Sequence, residues 1–144
     1  MIKRLIAATI ILMTGAFIMT GCNESKDTNT NNVEAVTEAE IAYEQITQEE
    51  AKSLMDSEEN YIILDVRTVE EFNETHIDGA ILIPDYEIGE KAEETLTDKN
   101  QLILVYCRSG RRSKLASAEL AEMGYTNVKE FGGIIDWSYG TVTE

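Results

Sequence analysis

The chain has 144 residues and a formal net charge of −15. That length holds one domain with a real core and no more, and so acidic a surface repels nucleic acid and anionic lipid alike. One histidine and two cysteines are too few to build a zinc cluster, so no metal and no cofactor is expected.

In chain order, Lys3 and Arg4 precede an apolar run from Leu5 to Ile18 broken by Thr9, Thr14 and Gly15, and Met19-Thr20-Gly21 sets small residues ahead of Cys22. This is the order of a secretory signal, too short for a comfortable membrane span. The cleavage region resembles the lipobox of bacterial lipoproteins. The resemblance implies removal of residues 1–21, lipidation of Cys22 and an extracytoplasmic chain anchored to the bacterial cell membrane through that lipid. An uncleaved N-terminal helix, or ordinary cleavage leaving a free thiol, are the alternatives. Residues 22–42, rich in Asn, Thr, Glu and Ala and without an aromatic side chain, read as a flexible tether.

From residue 43 onward helical and extended patterns alternate. Thr47 is placed to cap a helix and Glu50 to complete a capping box, with the helix predicted to end near Asp56. Tyr61-Ile62-Ile63-Leu64-Asp65-Val66 is an apolar run of the kind found in strands buried on both faces of a parallel sheet. A short helix over Val69–Asn73, a strand over Ala80–Ile83 stopped by Pro84, and an acidic helix over Ile88–Leu96 follow. Leu102–Tyr106 is the third clear strand. A helix over Ser113–Met123 ends at Gly124, well placed as a left-handed terminator. Val128–Phe131 makes a last, shorter strand.

Strands separated by helices imply an α/β domain over residues 43–144, with a mostly parallel central sheet and helices on both faces. Ligands of such sheets sit beyond the carboxyl ends of the strands. Cys107 falls there, and Asp65 lies at or near the same edge, although the order of the strands is not readable from the pattern.

The segment Cys107-Arg108-Ser109-Gly110-Arg111-Arg112-Ser113 is where chemistry is expected. Four of the twelve Lys and Arg residues (Arg108, Arg111, Arg112 and Lys114) fall within seven positions of an otherwise acidic chain. An ordinary cysteine, with a pKa of about 8.5, is only a few per cent thiolate at neutral pH. Lowering that value by about two takes roughly 2.7 kcal/mol of differential stabilisation. Guanidinium groups and the unpaired N–H groups of a loop entering a helix are able to supply it, and Gly110 lets the loop bend. The plain alternative is a small buried hydrophobe, a role for which Arg-Ser-Gly-Arg-Arg makes poor company. With Cys22 lipidated, Cys107 has no partner for an internal disulfide and reads as a reactive thiol.

Taken together, Leu64-Asp65-Val66-Arg67 with Glu70-Glu71-Phe72, His76-Ile77-Asp78-Gly79-Ala80, the cysteine loop, and Gly132-Gly133-Ile134 with Asp136-Trp137 resemble the rhodanese homology domain of sulfurtransferases. The resemblance runs from about Tyr43 to Tyr139. It implies a rhodanese-like fold and a persulfide mechanism. The Cys107 thiolate takes a sulfane sulfur from a small-molecule donor such as thiosulfate, a polysulfide or a persulfide, and a thiol or cyanide acceptor removes it. The loop Arg108, Ser109, Gly110, Arg111, Arg112 and Ser113 is expected to bind the anionic donor, and Asp65 and Arg67 to support the domain near the site. His76 reads as a packed loop residue and Trp137 as core. Two positions depart from the family pattern: Thr75 stands where Gly is common, and Ser109 where some thiosulfate-using members carry a basic residue.

Two other functions compete. A tethered module that carries or senses sulfur and docks on an envelope protein needs the same loop without turnover. A cysteine phosphatase or arsenate reductase needs Cys-x5-Arg; here the arginine comes one position early, at Arg112, and Ser113 occupies the sixth place.

Overall fold

The computed structural model describes residues 43–143. The signal segment, Cys22 and the whole of the tether lie outside the described residues. The elements are β1 (Glu44–Gln45), α1 (Gln48–Ser57), β2 (Tyr61–Asp65), α2 (Val69–Glu74), β3 (Ile81–Leu82), α3 (Ile88–Thr95), β4 (Leu102–Cys107), α4 (Arg111–Glu122) and β5 (Val128–Gly133), with 3-10 turns over Asp85–Glu87 and Ile134–Asp136. The five strands form one sheet in the order β1-β5-β4-β2-β3, and every pairing is parallel.

Side chains alternate across this sheet, and the alternation divides the core in two. Leu64 on β2, Ile103, Val105 and Cys107 on β4, and Val128 on β5 face α3 and α4, where Ile88, Ala92, Ala116 and Leu120 meet them. Ile63, Leu102, Leu104, Tyr106 and Phe131 face the other way, against Ala51, Leu54 and Met55 of α1. All six residues of β4 are buried. A Leu or Ile so enclosed stabilises the fold by roughly 1.5–3 kcal/mol relative to exposure, which is why the least polar strand takes the centre.

Local signals set the helix ends. Thr47 and Glu50 form the expected capping box on α1, and Thr68 with Glu71 forms a second on α2. At the end of α4, Gly124 has φ +91°. The Gly124 and Tyr125 amides donate to the carbonyls of Ala121 and Leu120 at 2.9 and 3.1 Å, the closing pattern that a left-handed glycine permits.

Three expectations are corrected and one strand is added. The helix expected from Ser113 starts at Arg111, because Gly110, at φ +94°, turns the chain directly into it. Cys107 is the last residue of its strand rather than the first after it. The final strand runs on to Gly133 through an extra residue: Val105 pairs with Glu130 and Cys107 with Gly133, so two steps along β4 match three along β5. Lastly, Glu44–Gln45 adds an edge strand beside β5. Two polar residues carry no periodicity, so this pairing follows from tertiary contact alone.

Candidate active site

The carboxyl ends of β2, β4 and β5 converge on Cys107. The residue is only 1% exposed, and among the described residues it is the one cysteine. Just past the strand the chain turns back over the sulfur, and the Gly110 amide donates to Sγ at 3.1 Å. Burial by itself pushes the thiol up. The Ser113 hydroxyl and the amides of Ser113, Ser109 and Gly110 outweigh that and hold Cys107 below its ordinary pKa. Hydrogen bonds to the charged form favour it, so the loop shifts Cys107 toward its thiolate.

The loop rests on β5 through a glycine. A Cβ at Gly133 would fall 2.3 Å from the Arg108 carbonyl oxygen and 2.5 Å from Ser109 Cα. Two further contacts pin the turn, the Ile135 amide donating to Arg108 O at 3.3 Å and Gln48 Nε2 to Gly133 O at 2.7 Å. Backbone approach this close is open only to a residue without a side chain.

The three loop arginines separate into two groups. Arg112 makes a two-pronged ion pair with Glu71, Nη1 to Oε2 at 2.8 Å and Nη2 to Oε1 at 2.9 Å. The hydrogen bond raises the Arg112 pKa and lowers that of Glu71. The bridge ties the first turn of α4 to the first turn of α2, with its positive charge still close enough to act on Cys107. Arg108 and Arg111 are exposed, and the arginine ion pairs among the described residues are only Arg67–Asp65 and Arg112–Glu71. Arg108 and Arg111, like the exposed Lys114, carry charge without an ion-pair partner among the described residues.

Asp65 and Arg67 stand beside the site as a buried support. Asp65 is fully buried and Arg67 3% exposed; Arg67 Nε and Nη2 reach Asp65 Oδ2 at 2.9 and 2.6 Å. Nη2 also donates to the Thr75 carbonyl at 2.6 Å, and the guanidinium lies 5.6 Å from the Tyr106 ring centre. Burial pulls the Arg67 pKa down, and the Asp65 hydrogen bond and charge more than restore it. Thr75 enters this network through its backbone, in an extended conformation any residue adopts, so the departure from Gly there leaves the support intact. His76 is packed as expected: its ring stacks on Phe72 at 3.9 Å, and Nδ1 contacts the Phe72 carbonyl at 2.9 Å. Trp137 is half-buried, with Phe131 on one side and Tyr139 on the other.

Sequence reasoning assigned no role to Glu130. Its carboxylate is 2% exposed and lies under the loop, where Oε1 accepts from Ser113 Oγ at 2.6 Å and from the Gly132 amide at 2.9 Å. The signal was present in Val128-Lys129-Glu130, since strand alternation puts Glu130 on the inward face with Val128. Among the described residues no group of three His, Cys, Asp or Glu side chains is arranged to hold a metal.

The family model described as the rhodanese-like domain matches residues 47–139. The chain belongs to the rhodanese-like family. It is 44% identical over 73 residues to the thiosulfate sulfurtransferase PspE of Escherichia coli (strain K12), covering 51% of this chain and 70% of that protein. Among solved structures, rhodanese with anions from E. coli matches at a TM-score of 0.55 and 39% identity, covering 58% of this chain and 99% of that one. A rhodanese-related protein from Thermoplasma volcanium matches at a TM-score of 0.61 and 30% identity, over 71% of this chain and all of that one, 100%. The chain spans only 23% of the adenylyltransferase and sulfurtransferase UBA4 of Candida albicans, to which it is 34% identical. The α/β rhodanese-like fold expected from the motifs is the fold observed, and the relatives support sulfurtransferase activity.

Proposed function

We propose that this rhodanese-like chain moves sulfane sulfur through a persulfide on Cys107. The observation that carries the reading is the Cys107 sulfur seated among inward-pointing donors of its own loop. With thiosulfate as donor, the thiolate attacks the outer sulfur, a Cys107 S–S bond forms, the thiosulfate S–S bond breaks, and sulfite leaves with the electron pair. The persulfide anion then occupies the loop. A cyanide or thiolate acceptor attacks the outer sulfur, takes it as thiocyanate or a persulfide, and returns Cys107 as thiolate. Fixed amide dipoles hold the negative charge at every stage, so no separate base is required. Arg108 and Arg111 guide the anionic donor.

The test is intact mass after exposure to thiosulfate. A gain of one sulfur atom, removed by reductant and absent in Cys107→Ser, is expected; equal gain in the variant refutes the assignment.

A second reading, sulfur delivery to a protein-borne thiol, is favoured by an exposed apolar side chain beside the loop: Ile135 is 62% exposed, and its amide donates to the Arg108 carbonyl at 3.3 Å. Stoichiometric transfer to a protein thiol without thiosulfate–cyanide turnover selects this reading. The spacing argument against a phosphatase is joined by the Glu71 bridge, which occupies Arg112, the arginine one position short of the one such a loop needs.

A further inference from the structure

Ser113 has one hydroxyl proton and two anions competing for it. Its Oγ lies 2.6 Å from Glu130 Oε1, against 3.1 Å from the Gly110 carbonyl and 3.4 Å from the Gly132 carbonyl. The same hydroxyl meets the carbonyl of Gly110, whose amide donates to Cys107 Sγ at 3.1 Å, and it lowers the thiol pKa from there. A hydroxyl donates once, and a charged acceptor at short range outcompetes neutral carbonyls. The Gly132 amide, which is only a donor, fixes Glu130 Oε1 as an acceptor at 2.9 Å. The proton is therefore drawn toward β5, which leaves the sulfur a reduced share of it.

We propose that Glu130 is a positioning residue that draws the Ser113 hydroxyl proton away from Cys107 and so limits how tightly the loop holds the sulfur anion. The proposal rests on Cys107 being the reacting group. Its use follows from the nature of sulfur nucleophiles, whose intrinsic reactivity falls as their anion becomes more stable. A loop that gave every donor to the thiolate would produce an abundant but sluggish nucleophile. By diverting one donor, Glu130 keeps the sulfur basic enough to attack a donor while the amides keep it ionised. The other charged or titratable groups around the pair are Lys114 on α4 and Asp136 after β5, which line the same groove of about 390 Å³ as Glu130, Arg112 with Asp85 beside it, and Tyr43 ahead of β1. None of these is altered by the test.

The experiment is a pH titration of Cys107 alkylation by iodoacetamide in the full chain, with thermal melts to confirm folding. Glu130→Gln keeps the shape and the oxygen that accepts from Gly132 but removes the charge, leaving the thiolate as the charged acceptor for Ser113. The alkylation midpoint should fall by about one pH unit, the scale on which a hydrogen bond or adjacent charge acts. In a Ser113→Ala background the same substitution should lose most of that effect, because the proton it redirects is gone. Glu130→Asp, with its carboxylate withdrawn from Ser113, should move the midpoint in the same direction. An unmoved midpoint in both Glu130 variants overturns the proposal, and so does an equal fall with and without the Ser113 hydroxyl. Alkylation reads the thiolate whether or not sulfur is taken up. Failure of sulfur uptake in the parent chain, with these midpoints as expected, counts against the sulfurtransferase reading alone.

Discussion

Replacing Gly133 by alanine puts one methyl group under the cysteine loop without touching the thiol. The new Cβ would stand 2.3 Å from the Arg108 carbonyl oxygen, 2.5 Å from Ser109 Cα and 2.7 Å from the Arg108 carbonyl carbon. All three are backbone atoms, so no side chain is free to swing away. Ordinary contact begins at 3.4 Å, so the loop must lift by about 1 Å, a displacement that costs about a hundredfold in rate when it befalls a catalytic group. Lifting also draws the Gly110 amide off Sγ, from which it now stands at 3.1 Å. The overpacking itself should cost about 1–3 kcal/mol of stability. Gly133→Ala should therefore turn over thiosulfate and cyanide about a hundredfold more slowly, with its alkylation midpoint moved upward toward that of a free thiol, while still melting cooperatively. A folded variant that matches the parent in both turnover and midpoint refutes the idea that loop position governs the sulfur.

Arg108→Ala and Arg111→Ala should each raise the thiosulfate KM more than they lower kcat, because both guanidinium groups are exposed and unpaired among the described residues and contribute charge-assisted contacts to the donor. Steady-state kinetics unchanged in both variants would remove them from the site. Arg67→Ala should destabilise the fold by about 3–5 kcal/mol, the scale for leaving one member of a buried ion pair uncompensated, since Asp65 has no exposure through which to recover solvent. Urea denaturation measures this, and a midpoint close to the parent's contradicts it.

The parts of the fold that were readable are those whose cause is local. The apolar runs of β2 and β4 read as strands, β2 as one buried on both faces, and residues of both do enter the two core layers. Thr47 with Glu50 and the glycine at position 124 marked helix ends through short-range hydrogen bonds. Cys107 and its loop stood out because basic residues cluster there in an acidic chain. What escaped the sequence depends on partners far along it. The role of Arg112 is set by Glu71, 41 positions away, and that of Ser113 by Glu130, 17 positions away. Strand order, and the edge strand at Glu44–Gln45, arise from pairing that no window of residues contains.

That pairing bears on how the chain is made. The first strand lies against the last, Glu44 opposite Lys129 and Gln45 opposite Glu130, and the central β4 has β5 as one of its two neighbours. A nascent chain emerging from the ribosome cannot complete the sheet until nearly the whole domain has left the exit tunnel. Until then β4 offers a bare, greasy flank to any other extended polypeptide. Synthesis thus carries a window of aggregation risk that closes only when the glycine pair at 132 and 133 arrives.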